Sequence, residues 1–273
     1  MSFPFSISCC SIALREHPVA AAIDLIAAAG FGGIEFWFPH LENLDHAGLL
    51  NVSDQCARKQ LTPLVISPYF SFTRGEEWKL KSLDTARQAL KIAKVLEVGK
   101  IRTFVDIGPD GLPSHRATPT HWHAAREGLR ELCALDPNSL FVVETHVNTL
   151  ADTLPSVQRL LEEVDRPNLR LNFQANPDFL QRGYRESLEA LFPYIHHLHW
   201  QQHRADGTET YLEEAGLINF QAVIEWLLSK NYRGTASVEY CWQPVDENRI
   251  GTAACFLSGI AKDHALAAAR TGP

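Results

Sequence analysis

The 273-residue sequence has no basic cluster longer than a scattered pair, and its 25 Lys plus Arg against 32 Asp plus Glu give a formal net charge of −7. That balance argues against affinity built on neutralising the phosphates of nucleic acid. No apolar run is long enough to span a membrane: the most apolar helix candidate, from Val19 to Gly30, is interrupted by Asp24. The opening residues, Met1 to Phe5, place no basic region ahead of an apolar stretch, so neither a signal peptide nor a spanning helix is expected. The cysteines, 9, 10, 56, 133, 241 and 255, contain no C-x-x-C pair, and reduced cytoplasmic thiols are the simplest account of them. A G-x-G-x-x-G phosphate loop and an evident inter-domain linker are missing too.

What is present is a repeat of strand followed by helix. Residues 5–10 alternate with a period of two, and Val19 to Ala29 then shows helical spacing that stops at Gly30. Further strands are predicted at 33–38, 62–67, 101–107, 140–145, 169–174, 195–200 and 235–240. Helices are predicted at 49–59, 83–97, 120–135, 151–164, 185–191, 220–230 and 252–269. Eight strand-helix units without a break predict an α/β fold with a parallel sheet. An open doubly wound sheet would normally carry the Gly-rich loop that this chain lacks. The count and length favour a closed (β/α)8 barrel, residues 1–273 forming a single domain. Chemistry in such a barrel sits where the strands end.

The strand ends carry polar residues. The fifth ends Val143-Glu144-Thr145-His146, the seventh runs His197-Leu198-His199, and the eighth ends Val238-Glu239-Tyr240. A glutamate at a strand end is commonplace as a salt-bridged rim residue, and each histidine is equally well a packed or surface one. Two such carboxylates with a histidine nevertheless make a plausible site for a hard cation.

The ordered set resembles the xylose-isomerase-like TIM barrel superfamily of sugar and sugar-phosphate isomerases and epimerases. It comprises Gly32-Gly33-Ile34-Glu35, Glu144-Thr145-His146 with Leu150 to Thr153, Pro167 to Phe173, His197-Leu198-His199 and Ser237 to Tyr240. The resemblance implies a metal held by glutamates ending strands five and eight, an aspartate ending strand six and a histidine ending strand seven. Carried over, those places fall to Glu144, Glu239, Gln174 and His199. The sixth strand departs from the pattern: Asn172-Phe173-Gln174 puts an amide where an anion is expected, and Asn172, on the same face, is the other candidate. Two carboxylates, an imidazole and an amide oxygen still offer four ligands to Mn2+ or Mg2+, with one charge fewer and a weaker or exchangeable metal as the consequence.

The resemblance further implies proton transfer beside a carbonyl through an enediolate, with Glu144 and Glu239 as the proton carriers. Isomerisation and epimerisation of a sugar differ only in where the proton returns. A dehydratase or lyase acting on a cyclic polyol would use a similar site, and a metal-depleted barrel that merely binds a ligand is the reading outside enzymes. A repair endonuclease of the same superfamily would need more metal ligands and a basic groove. Substrate contacts are expected from His146, Arg102, Arg204, Trp37, Tyr69 and Trp242, because flat rings cover the apolar faces of sugars. Arg102 is equally placed for an ion pair with Glu144 or Asp106 inside the barrel. Glu35 is a rim or floor partner, and His121-Trp122-His123, at the start of a helix, reads as an exposed cap. The expected partner is a small sugar or polyol, with no nucleic acid and no membrane, and association into a homo-oligomer would fit the resemblance.

Overall fold

The computed structural model describes residues 3–106 and 111–270, with side chains described as far as residue 264. Eight parallel strands close into a barrel: β1 (Ser6–Cys10), β2 (Gly33–Trp37), β3 (Thr62–Ser67), β4 (Lys100–Thr103), β5 (Leu140–Glu144), β6 (Leu169–Gln174), β7 (Ile195–Trp200) and β8 (Thr235–Val238). Each strand pairs with its sequence neighbours, and β8 pairs with β1 to close the ring. The fold is therefore the (β/α)8 barrel predicted from the repeat.

Alternation along the strands divides the residues cleanly between two faces. Ile34, Phe36, Phe141, Val143, Leu171, Phe173, Leu198, Trp200, Ala236 and Val238 join the apolar cluster. Between them stand Glu35, Asn172, Gln174, His197, His199 and Ser237, which are buried and polar, alongside the apolar Val142. Barrel interiors are ordinarily filled by branched apolar side chains, so a polar interior marks where this fold departs from mere packing.

The surrounding helices are α1 (Val19–Ala28), α2 (His46–Arg58), α3 (Glu76–Val95), α4 (Pro119–Leu135), α5 (Leu154–Val164), α6 (Pro177–Arg182), α7 (Tyr184–Leu191), α8 (Phe220–Ser229) and α9 (Asn248–Arg270). Most begin with a side-chain cap: Asp45 Oδ1 accepts from Gly48 N at 2.8 Å, and Thr118 and His121 form a reciprocal box ahead of α4. That box bears out the cap position of His121, but of the segment His121-Trp122-His123 only His123 is fully exposed, and Trp122 is buried. Gly128 in α4 lies against the Phe72 ring so closely that a Cβ would collide with it, which lets the helix seat directly on the loop after β3.

Differences from the sequence reading concern element ends and short elements that were not predicted, among them α6. Helix α3 begins at Glu76 rather than near Leu83, because its first turn is polar and gives no apolar period to detect. Strand β4 ends at Thr103, short of the expected 107, and residue 107 itself lies outside the described residues. Strand β8 ends at Val238, so Glu239 stands just beyond the ladder, although its N–H still donates to Trp200 O at 3.1 Å. A two-stranded ribbon, Gln202–His203 with Glu209–Thr210, follows β7, in a stretch without predicted elements.

Candidate metal centre and its surroundings

Register sets which side chains meet. His199 stands beside Gln174 on one flank and Ser237 on the other, while Asn172 stands beside Glu144 and His197. Opposite Leu171 and Asn172 the register skips from Ile195 to His197, so the extra residue, His196, marks a bulge in β7, a device that re-aims side chains next to sites. Glu144, Gln174, His199 and Glu239 consequently converge at the C-terminal ends of β5 to β8.

The convergence is tight. His199 Nδ1 lies 3.0 Å from Glu239 Oε2 and 3.4 Å from Glu144 Oε2. The inward atom of the Gln174 amide lies 2.9 Å from His199 Nδ1 and 3.0 Å from both Glu144 Oε1 and Glu239 Oε2. In an octahedral cation site with bonds of about 2.1 Å, neighbouring donors stand about 3.0 Å apart. Two carboxylates, an imidazole nitrogen and an amide oxygen at these spacings fit the donor set of Mn2+ or Mg2+. The register left open between Asn172 and Gln174 resolves: Gln174 lies within the cluster, and Asn172 lies behind it, where its Nδ2 donates to Glu144 Oε2 at 3.2 Å.

Charge is balanced around this point by neighbours. Arg102 Nη1 pairs with Glu144 Oε2 at 3.2 Å, and its guanidinium lies 4.3 Å from the Phe104 ring centroid and 5.1 Å from that of Tyr69. Burial alone would raise both carboxyls. Glu144 stays above the ordinary range despite Arg102, whereas the cation character of His199 pulls Glu239 below it. Burial likewise opposes charge on His199, but Glu239, Glu35 and Glu144 outweigh it and hold the imidazole well above its usual range.

Glu35 acts from the far side. Its carboxylate lies 3.0 Å from His199 Nε2 and 2.9 Å from His197 Nε2, and Ser67 Oγ donates to it. Opposed by burial yet held by the two histidines, its carboxyl stays well below the normal range. His197 Nδ1 lies 2.7 Å from Thr235 Oγ1, and Ser237 Oγ links His197 to Ser8 Oγ at 2.6 Å. Because Glu35 engages His199 Nε2, the proton on that nitrogen is fixed and Nδ1 faces the cluster, the carboxylate-histidine pattern that orients metal ligands. From the sequence Glu35, at the end of strand two, reads as a rim or floor partner. Nothing there signals that the partners are histidines 162 and 164 positions away.

The other expected site residues divide. His146 follows β5, with Nδ1 2.7 Å from Val147 O and its ring edge-on to Phe104 at 5.5 Å. Trp37 Nε1 donates to the Tyr69 hydroxyl at 3.0 Å, joining two of the expected rings into one wall. Trp242 instead packs on Tyr211 and Tyr240, at 5.3 and 5.0 Å between ring centroids. Arg204 is half-exposed and bound to Glu214 at 2.9 Å and to Thr210 at 2.6 Å, not to the cluster. Of the two acidic partners considered for Arg102, the structure provides Glu144, while Asp106 accepts from Ser71 Oγ and from Thr73 N.

A closed barrel whose strand ends gather two carboxylates, an imidazole and an amide around one point defines a class of metal-competent (β/α)8 proteins. The chain belongs to the xylose isomerase-like TIM barrel family, whose model matches residues 23–258. It is 32% identical over 207 residues to the 3-dehydroshikimate dehydratase of Bacillus anthracis, covering 71% of this chain and 70% of that protein. Among solved structures, the probable 3-DHS dehydratase involved in petrobactin synthesis from Bacillus anthracis superposes with a TM-score of 0.78 at 25% identity, over 93% of this chain and 99% of that one. A xylose isomerase-like TIM barrel protein from Mycobacterium smegmatis, solved in complex with magnesium, superposes with a TM-score of 0.75 over 95% of this chain and 98% of its own, and at 16% identity the likeness is one of fold. Among the described residues no helix is long and apolar enough to cross a membrane.

Proposed function

We propose that the chain is a divalent-cation-assisted dehydratase acting on a small hydroxylated cyclic ketone acid of the 3-dehydroshikimate kind. The observation that carries this reading is the convergence of Glu144, Gln174, His199 and Glu239 at cation-site spacing, in a chain 32% identical to a 3-dehydroshikimate dehydratase. Glu144 Oε1, Gln174 Oε1, His199 Nδ1 and Glu239 Oε2 would hold the cation. When bound it supplies a Lewis acid beside the substrate carbonyl, which acidifies the adjacent C–H.

The chain's own residues account for the remaining chemistry. His146 donates its Nδ1–H to Val147 O, which leaves Nε2 with a free lone pair as the base for that C–H proton. Arg102 keeps a fixed positive charge beneath the site, and its Nε–H has no partner among the described residues, which leaves it for a substrate oxygen to accept. Trp37 and Tyr69 form an aromatic wall suited to the flat face of a ring. Removing the proton and expelling the β-hydroxyl as water gives the dehydrated product.

The second reading is isomerisation or epimerisation of a sugar. It is favoured by Glu144 Oε1 and Glu239 Oε2 flanking one point, each 3.0 Å from the same amide position, as exchange between two bases requires. The test is incubation with 3-dehydroshikimate and, separately, with ketoses, in Mn2+ and in EDTA. The proposal expects loss of water to an aromatic acid, read by ultraviolet absorbance, abolished by EDTA and slowed at least about 100-fold by His146→Gln. Turnover of a ketose with none of 3-dehydroshikimate would overturn it in favour of the second reading.

A further inference from the structure

The Gln174 amide occupies the most crowded point of the cluster, with one of its two ends within 3.0 Å of Glu144 Oε1, Glu239 Oε2 and His199 Nδ1. Its backbone is fixed independently, since Gln174 N donates to Thr145 Oγ1 at 2.8 Å, and Thr145 Oγ1 in turn donates to Gln174 O at 2.8 Å. The side chain is 3% exposed, so solvent does not mediate these contacts. Its two ends are nearly the same size but opposite in chemistry: NH2 carries two donors, the carbonyl only lone pairs.

With the oxygen inward, two carboxylate oxygens face a third oxygen at 3.0 Å, an arrangement that a cation held between them relieves. With the nitrogen inward, its two hydrogens point to Glu144 Oε1 and Glu239 Oε2, and the two carboxylates are bridged without metal. An aspartate or glutamate has no such second state, because both of its ends repel the neighbouring carboxylates.

We propose that Gln174 is a two-position ligand. Its NH2 bridges Glu144 and Glu239 in the metal-free protein, and a half-turn about the last side-chain torsion presents its oxygen to the incoming divalent cation. The inference rests on the metal-centre reading above and deepens it. Two consequences follow together: the metal-free barrel is held in its loaded geometry, and cation affinity is held down because two hydrogen bonds are given up on binding. Gln174 is thus a positioning residue in one state and a ligand in the other.

The test compares wild type, Gln174→Glu and Gln174→Met, each stripped with EDTA and then titrated with Mn2+ by calorimetry, with urea midpoints recorded in both conditions. Gln174→Glu is expected to lower the metal-free midpoint while tightening Mn2+ by about tenfold or more. Gln174→Met, which has neither a donor nor a carbonyl oxygen, is expected to lower the midpoint and weaken Mn2+ as well. In nitrogen-15 spectra of wild type, Mg2+ is expected to shift one side-chain amide pair, absent from both variants. A Gln174→Glu protein as stable without metal as wild type would overturn the bridging role, and unchanged Mn2+ affinity would overturn the ligand role, while the metal-centre reading stands. Failure of all three proteins to bind Mn2+ would instead sink the metal-centre reading itself.

Discussion

Arg102 offers a quantitative handle on how the barrel tolerates its buried carboxylates. Its side chain is 1% exposed, and Nη1 lies 3.2 Å from Glu144 Oε2. At an effective dielectric of about 20, two unit charges at that separation attract by about 5 kcal/mol. Desolvation offsets most of that gain while the pair is intact, but removing one partner leaves the other as an uncompensated buried charge, a loss of about 3–5 kcal/mol. Arg102→Met keeps the length and apolar contact with Phe104 and Tyr69 while deleting the charge. Urea unfolding of the metal-free protein at pH 7 is therefore expected to show a loss of about 3–5 kcal/mol. Adding Glu144→Gln removes the orphaned charge, so the double variant is expected to be about 2–3 kcal/mol more stable than the sum of the two single losses. Additivity within about 0.5 kcal/mol would refute the reasoning, since it would mean that Arg102 stabilises through packing alone.

Two further expectations concern the network behind the cluster. His197 is neutral: burial pushes its pKa down to about 4, against the pull of Glu35 and with His199 and Lys100 adding to the repulsion. The unfolded chain takes up that proton near its ordinary value of about 6.5, so the contribution is full above that pH and is lost as the pH falls toward 4, by about 3 kcal/mol. Urea titrations from pH 7 to 4.5 are expected to show this slope in wild type and a flatter one in His197→Asn; equal slopes would contradict it. Glu35→Gln keeps the shape but weakens the grip on His199 Nε2, and Mn2+ affinity measured by calorimetry is expected to fall about 10–100-fold with the fold retained in circular dichroism.

The barrel was legible because its signal is repetitive. Eight apolar strands separated by amphipathic helices leave few topologies open, and small errors at the ends of α3 and β4 do not alter which residues finish each strand. Glu144, His199 and Glu239 were legible as candidates for the same reason, since each follows an alternating run whose inward phase can be counted. The partners of Glu35 were not, because strands two and seven meet across the interior, and which inward residues share a layer depends on the tilt and bulges of the closed sheet. The ribbon after β7 was hidden too, for strands of two residues each carry no detectable period. It binds Arg204 to Glu214 and Thr210, a contact that the spacing from His199 does not reveal.

The central claim is that Glu144, Gln174, His199 and Glu239 form one divalent cation site. Titration of Mn2+ into EDTA-stripped protein, followed by the loss of the free-ion electron paramagnetic resonance signal, tests it most directly. The account predicts one ion bound per chain, with affinity reduced at least about tenfold in His199→Gln and in Glu239→Gln. Wild-type protein that leaves the free-ion signal unchanged, or ligand variants that bind Mn2+ as wild type does, would contradict it.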